Sequence, residues 1–264
     1  MSPQDTSLFN KYGTYALITG ASEGIGRAFA WQMAQEGFNL VLVARREHLL
    51  NDLAAEIKLK YPVVCQVIKA DLAVKDEVDR LVEVTASVDI GVVVCNAGFG
   101  LAGNFLDNDV SSELEMISVN CYALAKMTHD FGLRLKKRGR GAVLLLSSIV
   151  ATQGIARSAN YAATKAYVLS LGEALQLEWR GSGVDLLIVA PGPVETGFSK
   201  RSKMQFGQTT TPEVVAKESI SAIGRKSIVH PGALAKLMKL GISMTPRYLR
   251  VKIISTIMRG MTQQ

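Results

Sequence analysis

Residues 15–26 read Tyr15-Ala16-Leu17-Ile18-Thr19-Gly20-Ala21-Ser22-Glu23-Gly24-Ile25-Gly26. A short apolar run passes straight into a glycine-punctuated turn, and a helical period starts at once behind it. The same alternation then recurs along the chain. Apolar, β-branched runs fall at 15–19, 40–44, 63–69, 90–95, 142–147, 185–190 and 227–230. Stretches of helical period lie between them at 25–36, 47–59, 75–85, within 111–138, within 159–180 and at 212–224. Strands alternating with helices are the signature of repeated βαβ units and a parallel sheet. The seven runs are nearly all apolar, as expected of strands covered by helices on both faces. The predicted class is α/β, a doubly wound parallel sheet of about seven strands.

With 264 residues, 48% hydrophobic and 20% charged, the composition excludes a disordered or collagen-like chain. No Pro/Gly/Ser-rich linker or internal repeat divides it, so one domain spanning 1–264 is expected. Two irregular stretches follow late strands, where an open parallel sheet places its ligands. One is about 193–211; the other, about 231–264, reads as a helical extension. Cys65, Cys95 and Cys121 show no disulfide or zinc spacing, which predicts a reducing, cytoplasmic setting. Residues 1–11 lack the pattern of a secretory signal, and no apolar run approaches the roughly 18 residues of a membrane span.

Glycines at a strand-to-helix turn let the backbone approach a phosphate, and the helix N-terminus aims N–H groups at that anion. Gly20, Ser22, Gly24, Ile25 and Gly26 are therefore candidate dinucleotide-binding residues, in a Rossmann-type arrangement. The alternative is a tight βα turn without a ligand. The second strand ends Val43-Ala44-Arg45-Arg46, with arginine where a carboxylate would favour NAD(H). A guanidinium fork suits a 2′-phosphate, so NADP(H) is preferred over NAD(H), with Arg45 the expected contact and Ser22 a second donor. A solvated basic pair is the alternative, although it sits poorly against the dipole of the following helix.

Tyr161 and Lys165 stand one helical turn apart in Tyr161-Ala162-Ala163-Thr164-Lys165. A phenol with a pKa near 10 is a poor proton donor or acceptor at neutral pH, and a nearby cation lowers that pKa. Alone, such a pair is an ordinary helix surface. Ser147-Ser148 ends the fifth strand, however, and Asn96-Ala97-Gly98 closes the fourth. With these motifs the chain resembles the short-chain dehydrogenase/reductase family. The likeness runs from Tyr15 to about Thr196, with Asp71-Leu72, Asn120, Pro191-Gly192 and Thr196 also in the family's order. Within the family it is most similar to the branch of 17β-hydroxysteroid dehydrogenases and very-long-chain 3-oxoacyl-CoA reductases. Cys95 departs from the pattern, standing where many relatives have a second Asn.

The resemblance implies an NADP(H)-dependent oxidoreductase that reduces a hydrophobic ketone or 3-oxoacyl compound. It makes Tyr161 the general acid in reduction and Ser148, thirteen positions earlier, the group that holds the substrate oxygen. Lys165 would lower the Tyr161 pKa and hold the nicotinamide ribose, and Asn120 would anchor a water. Asp71 and Leu72 would contact the adenine, and Asn96, Ala97 and Gly98 would lie along its ribose. Pro191, Gly192, Val194 and Thr196 would lie on the nicotinamide side. Pairing through the two long helices, giving a homodimer or homotetramer, is also implied. Two other readings remain: a non-catalytic NADP(H)-binding regulator, which leaves Asn120, Ser148, Tyr161 and Lys165 without a purpose, and a lipid or steroid reductase attached to a membrane surface.

Other marked residues read more plainly. His48, His129 and His230 share no metal-ligand spacing, and no metal site is expected. Lys136-Lys137-Arg138-Gly139-Arg140 has the composition of a nucleic-acid patch, but it ends a helix before a glycine, where cations complement the dipole. No nucleic-acid partner is expected. The resemblance implies that about 193–211 is a lid over substrate. Its Phe198, Met204 and Phe206 suit either a hydrophobic substrate or sealing of the lid itself, and Lys200, Arg201 and Lys203 either an anionic handle or solvent. The net charge of +7 is uneven: residues 219–264 hold eight basic and no acidic groups, leaving 22 basic and 23 acidic before them. Two amphipathic helices are expected there, at about 233–242 and 246–261, with Leu234, Leu237, Met238, Ile253, Ile254, Ile257 and Met258 apolar. They read first as cover for the pocket or a subunit interface, and second as contact with an anionic membrane.

Overall fold

In the computed structural model, residues 8–197 and 208–261 are described, with side chains throughout except at 242, 243 and 257–261. The strands are β1 (Tyr15–Thr19), β2 (Asn39–Ala44), β3 (Cys65–Lys69), β4 (Ile90–Cys95), β5 (Gly141–Leu146), β6 (Val184–Val189) and β7 (Ile228–Val229). They form one parallel sheet in the order β3-β2-β1-β4-β5-β6-β7. Leu17 of β1 pairs with Val41 on one side and Val93 on the other. The chain therefore reverses its direction of travel across the sheet between β1 and β4, and the carboxyl ends of these two strands open a crevice.

Alternation along each strand divides the core into two layers. Ile18, Leu42, Val94 and Leu144 face α2 (Gly24–Gln35), α3 (Glu47–Lys60) and α8 (Pro212–Ala222) through Phe29, Met33, Leu53 and Ile220. Leu17, Val43, Val93 and Leu145 face α4 (Lys75–Val84), α6 (Leu124–Arg138) and α7 (Ala159–Glu178) through Leu81, Phe131 and Val168. Burying each such side chain contributes roughly 1.5–3 kcal/mol, which explains why the strands carry almost no polar residues.

Four local features differ from the sequence pattern. The helical stretch within 111–138 is broken: α5 (Val110–Ile117) runs into a π-helical turn, Ser118–Ala123, before α6 begins. Such a turn shifts the register of side chains and recurs at functional sites. The seventh strand shrinks to two residues, and the third starts two residues later than its apolar run. A first helix, α1 (Leu8–Tyr12), has no strong sequence signal. The basic run does end α6, at Gly139 in the left-handed conformation, where the Gly139 N–H donates to the Lys136 carbonyl.

The short α1 is held by its last residue. Tyr12 is buried, and its hydroxyl donates to Asp185 Oδ2 at 2.6 Å, while Lys11 Nζ reaches the same oxygen at 3.0 Å. Burial and the carboxylate together hold the Tyr12 phenol far above the usual tyrosine range. A hydrogen bond to a charged group contributes about 1.5–3 kcal/mol. Tyr12→Phe, which keeps the ring, is expected to lose about 2 kcal/mol of stability in denaturant unfolding.

Candidate active site

The crevice is built on the turn after β1. Gly20 adopts φ +66°, and α2 starts at Gly24. A Cβ at Gly26 would lie 2.2 Å from the Gly20 carbonyl oxygen, so only glycine lets the helix approach the turn this closely. Thr19 ties the turn to the neighbouring loop. Its hydroxyl accepts the N–H groups of Asn96 and Ala97, each at 3.0 Å, and donates to the Val94 carbonyl at 3.2 Å. Asn96 Nδ2 donates in return to the Thr19 carbonyl at 2.8 Å. Every hydrogen-bonding capacity of the hydroxyl is used.

At the outer end of the crevice two arginines are held by carboxylates. Arg45 Nη1 lies 3.2 Å from Glu115 Oε1 and 3.7 Å from Asp71 Oδ2. Arg46 Nη2 donates to Ser22 Oγ at 3.0 Å and pairs with Glu23 Oε1 at 2.9 Å. Arg46, the last residue before α3, reaches back across the glycine turn to Ser22, and both expected phosphate contacts, Arg45 and Ser22, lie at this end of the cleft. These partly exposed pairs are worth about 0–1 kcal/mol each, so a more strongly charged ligand can displace them. Asp71 uses Oδ1 to accept the Ala73 N–H, and its own N–H donates to Glu77 Oε2 at 2.7 Å. Leu72 beside it is buried.

The chemical groups gather at the inner end. Ser148 follows β5 as the N-cap of a 3-10 turn, Ile149–Thr152, with Oγ accepting the Val150 N–H at 3.3 Å. Tyr161 and Lys165 project from α7. Lys165 is buried; Nζ donates to the Leu146 carbonyl at 2.8 Å and sits 5.8 Å from the Tyr161 ring centroid. Ser147 Oγ fixes the helix by donating to the Lys165 carbonyl at 2.9 Å. Asn120 lies in the π-helical turn. Its Oδ1 accepts the Phe99 N–H at 3.1 Å, and its Nδ2 donates to the Phe99 carbonyl at 2.9 Å and to Thr164 Oγ1 at 3.0 Å. Gly98 separates Asn120 from Lys165: a Cβ there would lie 2.9 Å from Asn120 Oδ1 and 3.4 Å from Lys165 Nζ.

Burial dominates the protonation of this group. It pushes the Tyr161 phenol up to about 12, with a hydrogen bond from Ser148 acting in the opposite direction. It lowers the Lys165 ammonium to about 8. Burial, and not the lowering expected from Lys165, sets the direction of the Tyr161 shift. At neutral pH the pair is a protonated phenol beside a cation that loses its charge near pH 8, well below the range of an exposed lysine.

These residues line one cleft of about 840 Å3, within the range of ligand-binding pockets. Gly20, Ser22, Gly24, Ile25, Arg45, Asp71, Leu72, Asn96, Ala97, Gly98, Ser148, Tyr161, Lys165, Pro191, Gly192, Val194 and Thr196 all face it. Gly26 and Asn120 stand behind the lining, under Gly20 and Gly98. Sequence reasoning did not select Arg46, Glu115, Thr19, Ile155, Met238 or Ile254 as site residues. Met238 comes from α9 (Ala233–Met244) and Ile254 from α10 (Arg247–Met261), so the tail does cover the cleft, as one expectation held. Their amphipathic spacing was visible, but not which element they would meet. Cys121 is half-buried, with its thiol pushed up by desolvation. Val194 and Thr210 form an isolated parallel bridge; Phe198, Lys200, Arg201, Lys203, Met204 and Phe206 lie outside the described residues. Among the described residues no cluster of side chains is suited to hold a metal ion.

The switch in sheet direction over a glycine turn places this cleft where open parallel sheets bind their ligands, with Ser148, Tyr161 and Lys165 at its inner end. The family model for short chain dehydrogenases matches residues 14–205, and the chain belongs to that family. It is 31% identical over 235 residues to a 7beta-hydroxysteroid dehydrogenase of Mediterraneibacter gnavus, covering 86% of this chain and 89% of the relative. It is 30% identical to the very-long-chain 3-oxoacyl-CoA reductase of Homo sapiens, covering 92% of this chain and 78% of that protein. Among solved structures, one from work on 7beta-hydroxysteroid dehydrogenase stereoselectivity superposes with a TM-score of 0.87 at 29% identity, covering 94% of this chain and 99% of that one. A short-chain dehydrogenase from Sphingobium yanoikuyae in complex with NADPH gives 0.79 at 26%, covering 88% and 93%.

Thr19→Val keeps the shape of the side chain and removes the acceptor for two N–H groups. It is expected to cost about 2–4 kcal/mol of stability. In thermal unfolding with and without a nicotinamide dinucleotide, the variant is also expected to show a smaller ligand-induced rise in melting temperature than the parent.

Proposed function

We propose that this protein uses NADPH to reduce a hydrophobic ketone or 3-oxoacyl compound to the secondary alcohol. The observation that carries the reading is the convergence of Ser148, Tyr161 and Lys165 on the cleft that begins at the glycine turn. The donor set fits a dinucleotide: a glycine turn against a helix N-terminus at one end, two guanidinium forks at the rim, and a buried cation near the reacting end. When bound, NADPH supplies the hydride. Tyr161 delivers a proton from Oη to the developing alkoxide, and burial keeps that proton in place at neutral pH. Ser148 holds the same oxygen. Lys165 steadies the phenolate as it forms, and Asn120 and Thr164 brace the helix turn from which Lys165 projects.

NADP(H) is read as preferred because Arg45 and Arg46 offer charge to a 2′-phosphate, which NAD(H) lacks; the structural relative solved with NADPH supports this. An apolar substrate is read from Ile149, Val150, Ile155, Met238 and Ile254 at the substrate end, in keeping with the named activities of the relatives. We read the chain as one domain, paired as a homodimer or homotetramer through α5–α6 and α7. Exposed Leu114, Ile117, Leu133, Tyr167 and Leu177 on those helices support that pairing. Three free cysteines support a reducing, cytoplasmic setting.

The test is NADPH oxidation against a panel of hydroxysteroid ketones and 3-oxoacyl thioesters, with NADH as control. Turnover with NADPH is expected on an apolar ketone, and Tyr161→Phe should reduce kcat by about 10²–10⁴-fold while NADPH binding persists. No turnover by folded protein on any member, or an active Tyr161→Phe, overturns the assignment. The pH profile offers a second check. The Lys165 cation is present below its pKa of about 8 and lost above it, so reductive kcat/KM should decline as pH rises through about 8.

A further inference from the structure

The two C-terminal helices have an outer side that the cleft does not use. On the inner side, Ala235 of α9 lies against Gly192, and Ile254 of α10 packs on Ile155 and Ala162. On the outer side Leu237 and Met244, two turns apart on one face of α9, are 68% and 78% exposed. α10 adds Tyr248, Leu249 and Ile253 at 68%, 47% and 52% exposed. An apolar patch of this extent marks an interaction surface.

Charge says what kind of surface meets it. Residues 219–264 carry eight basic and no acidic groups, while the preceding 218 residues are one charge from neutral. Lys239 and Lys252 are exposed on the same two helices, and Lys252 Nζ lies over the Tyr248 ring at 4.4 Å. An apolar stripe edged by lysine and arginine, with a tyrosine at its border, is the composition of a helix lying in the headgroup region of an anionic bilayer. A second copy of the chain on this face would bring two acid-free tails together, and their repulsion disfavours it. A nucleic acid would meet the cations but leave the apolar stripe without a partner.

We propose that the outer face of α9 and α10 seats the protein on an anionic lipid surface. No helix among the described residues is long and apolar enough to cross a membrane, so the attachment is peripheral. The helices that dock are the ones that carry Met238 and Ile254 over the substrate end of the cleft, which places the lipid surface beside the entrance for an apolar substrate.

The test is flotation of the full-length protein with vesicles of phosphatidylcholine alone or mixed with phosphatidylglycerol, a readout that does not involve turnover. Binding is expected only with phosphatidylglycerol and should weaken as salt rises. The double variant Met244→Asp/Ile253→Asp should lose at least about tenfold of that binding, as should Lys239→Glu/Lys252→Glu. Both variants are exposed-site changes, so their melting temperature should match the parent's. Three results would overturn the proposal: no flotation with anionic vesicles, equal flotation by both variants, or light scattering that shows Met244→Asp/Ile253→Asp converting an oligomer to a monomer. The last would make this face a subunit interface.

Discussion

The hydroxyl of Thr19 holds together the place on which the rest of the site depends. Two parallel neighbours, β1 and β4, whose connections leave in opposite directions open a crevice at their carboxyl ends, and that crevice is useful only if its two walls keep a fixed spacing. Thr19 supplies it by binding Asn96, Ala97 and Val94 from β4 and the loop beyond, while Asn96 binds back to the Thr19 carbonyl. The glycine turn, the loop along its side and the start of α2 then move as one body. A side chain at Gly26 would force that body apart.

From there the inner end follows by a second set of buried polar contacts. Lys165 is an ammonium in a nearly dry setting, and such a group is tolerated only where its hydrogens are used. The Leu146 carbonyl uses one, and Ser147 and Thr164 hold the helix that carries it. The same burial that threatens the lysine's charge protects the proton of Tyr161. One environment thus sets two opposite pKa displacements, which is how a site keeps an acid and a cation ready at one pH. Asn120 joins this set because the π-helical turn swings it toward Phe99, beside the glycine that separates it from Lys165.

Charge is partitioned in the same molecule by a different logic. The body that carries the cleft is close to neutral, and at its rim the two arginines are each matched by carboxylates. The excess belongs to the tail helices, whose inner residues complete the cleft and whose outer residues do not touch it. A net charge of +7 therefore describes one face and not the whole surface.

Periodicity and local spacing by themselves determined the seven strands, the covering helices, the glycine turn and the Tyr161/Lys165 pair, because each depends on residues within a few positions of one another. Motif order was enough to gather Ser148, Asn96 and Asn120 into the same site, and the structure places them around one cleft. What only the tertiary structure decided depends on contacts between distant segments. Arg46 reaches back to Ser22, Thr19 spans two strands 75 residues apart, and α9 and α10 reach over the cleft with Met238 and Ile254. The break in the helix at Ser118–Ala123 and the raised phenol of Tyr161 belong with them. Register, burial and side-chain direction are properties of packing, and packing is set by which surfaces meet, a relation no local stretch of sequence contains.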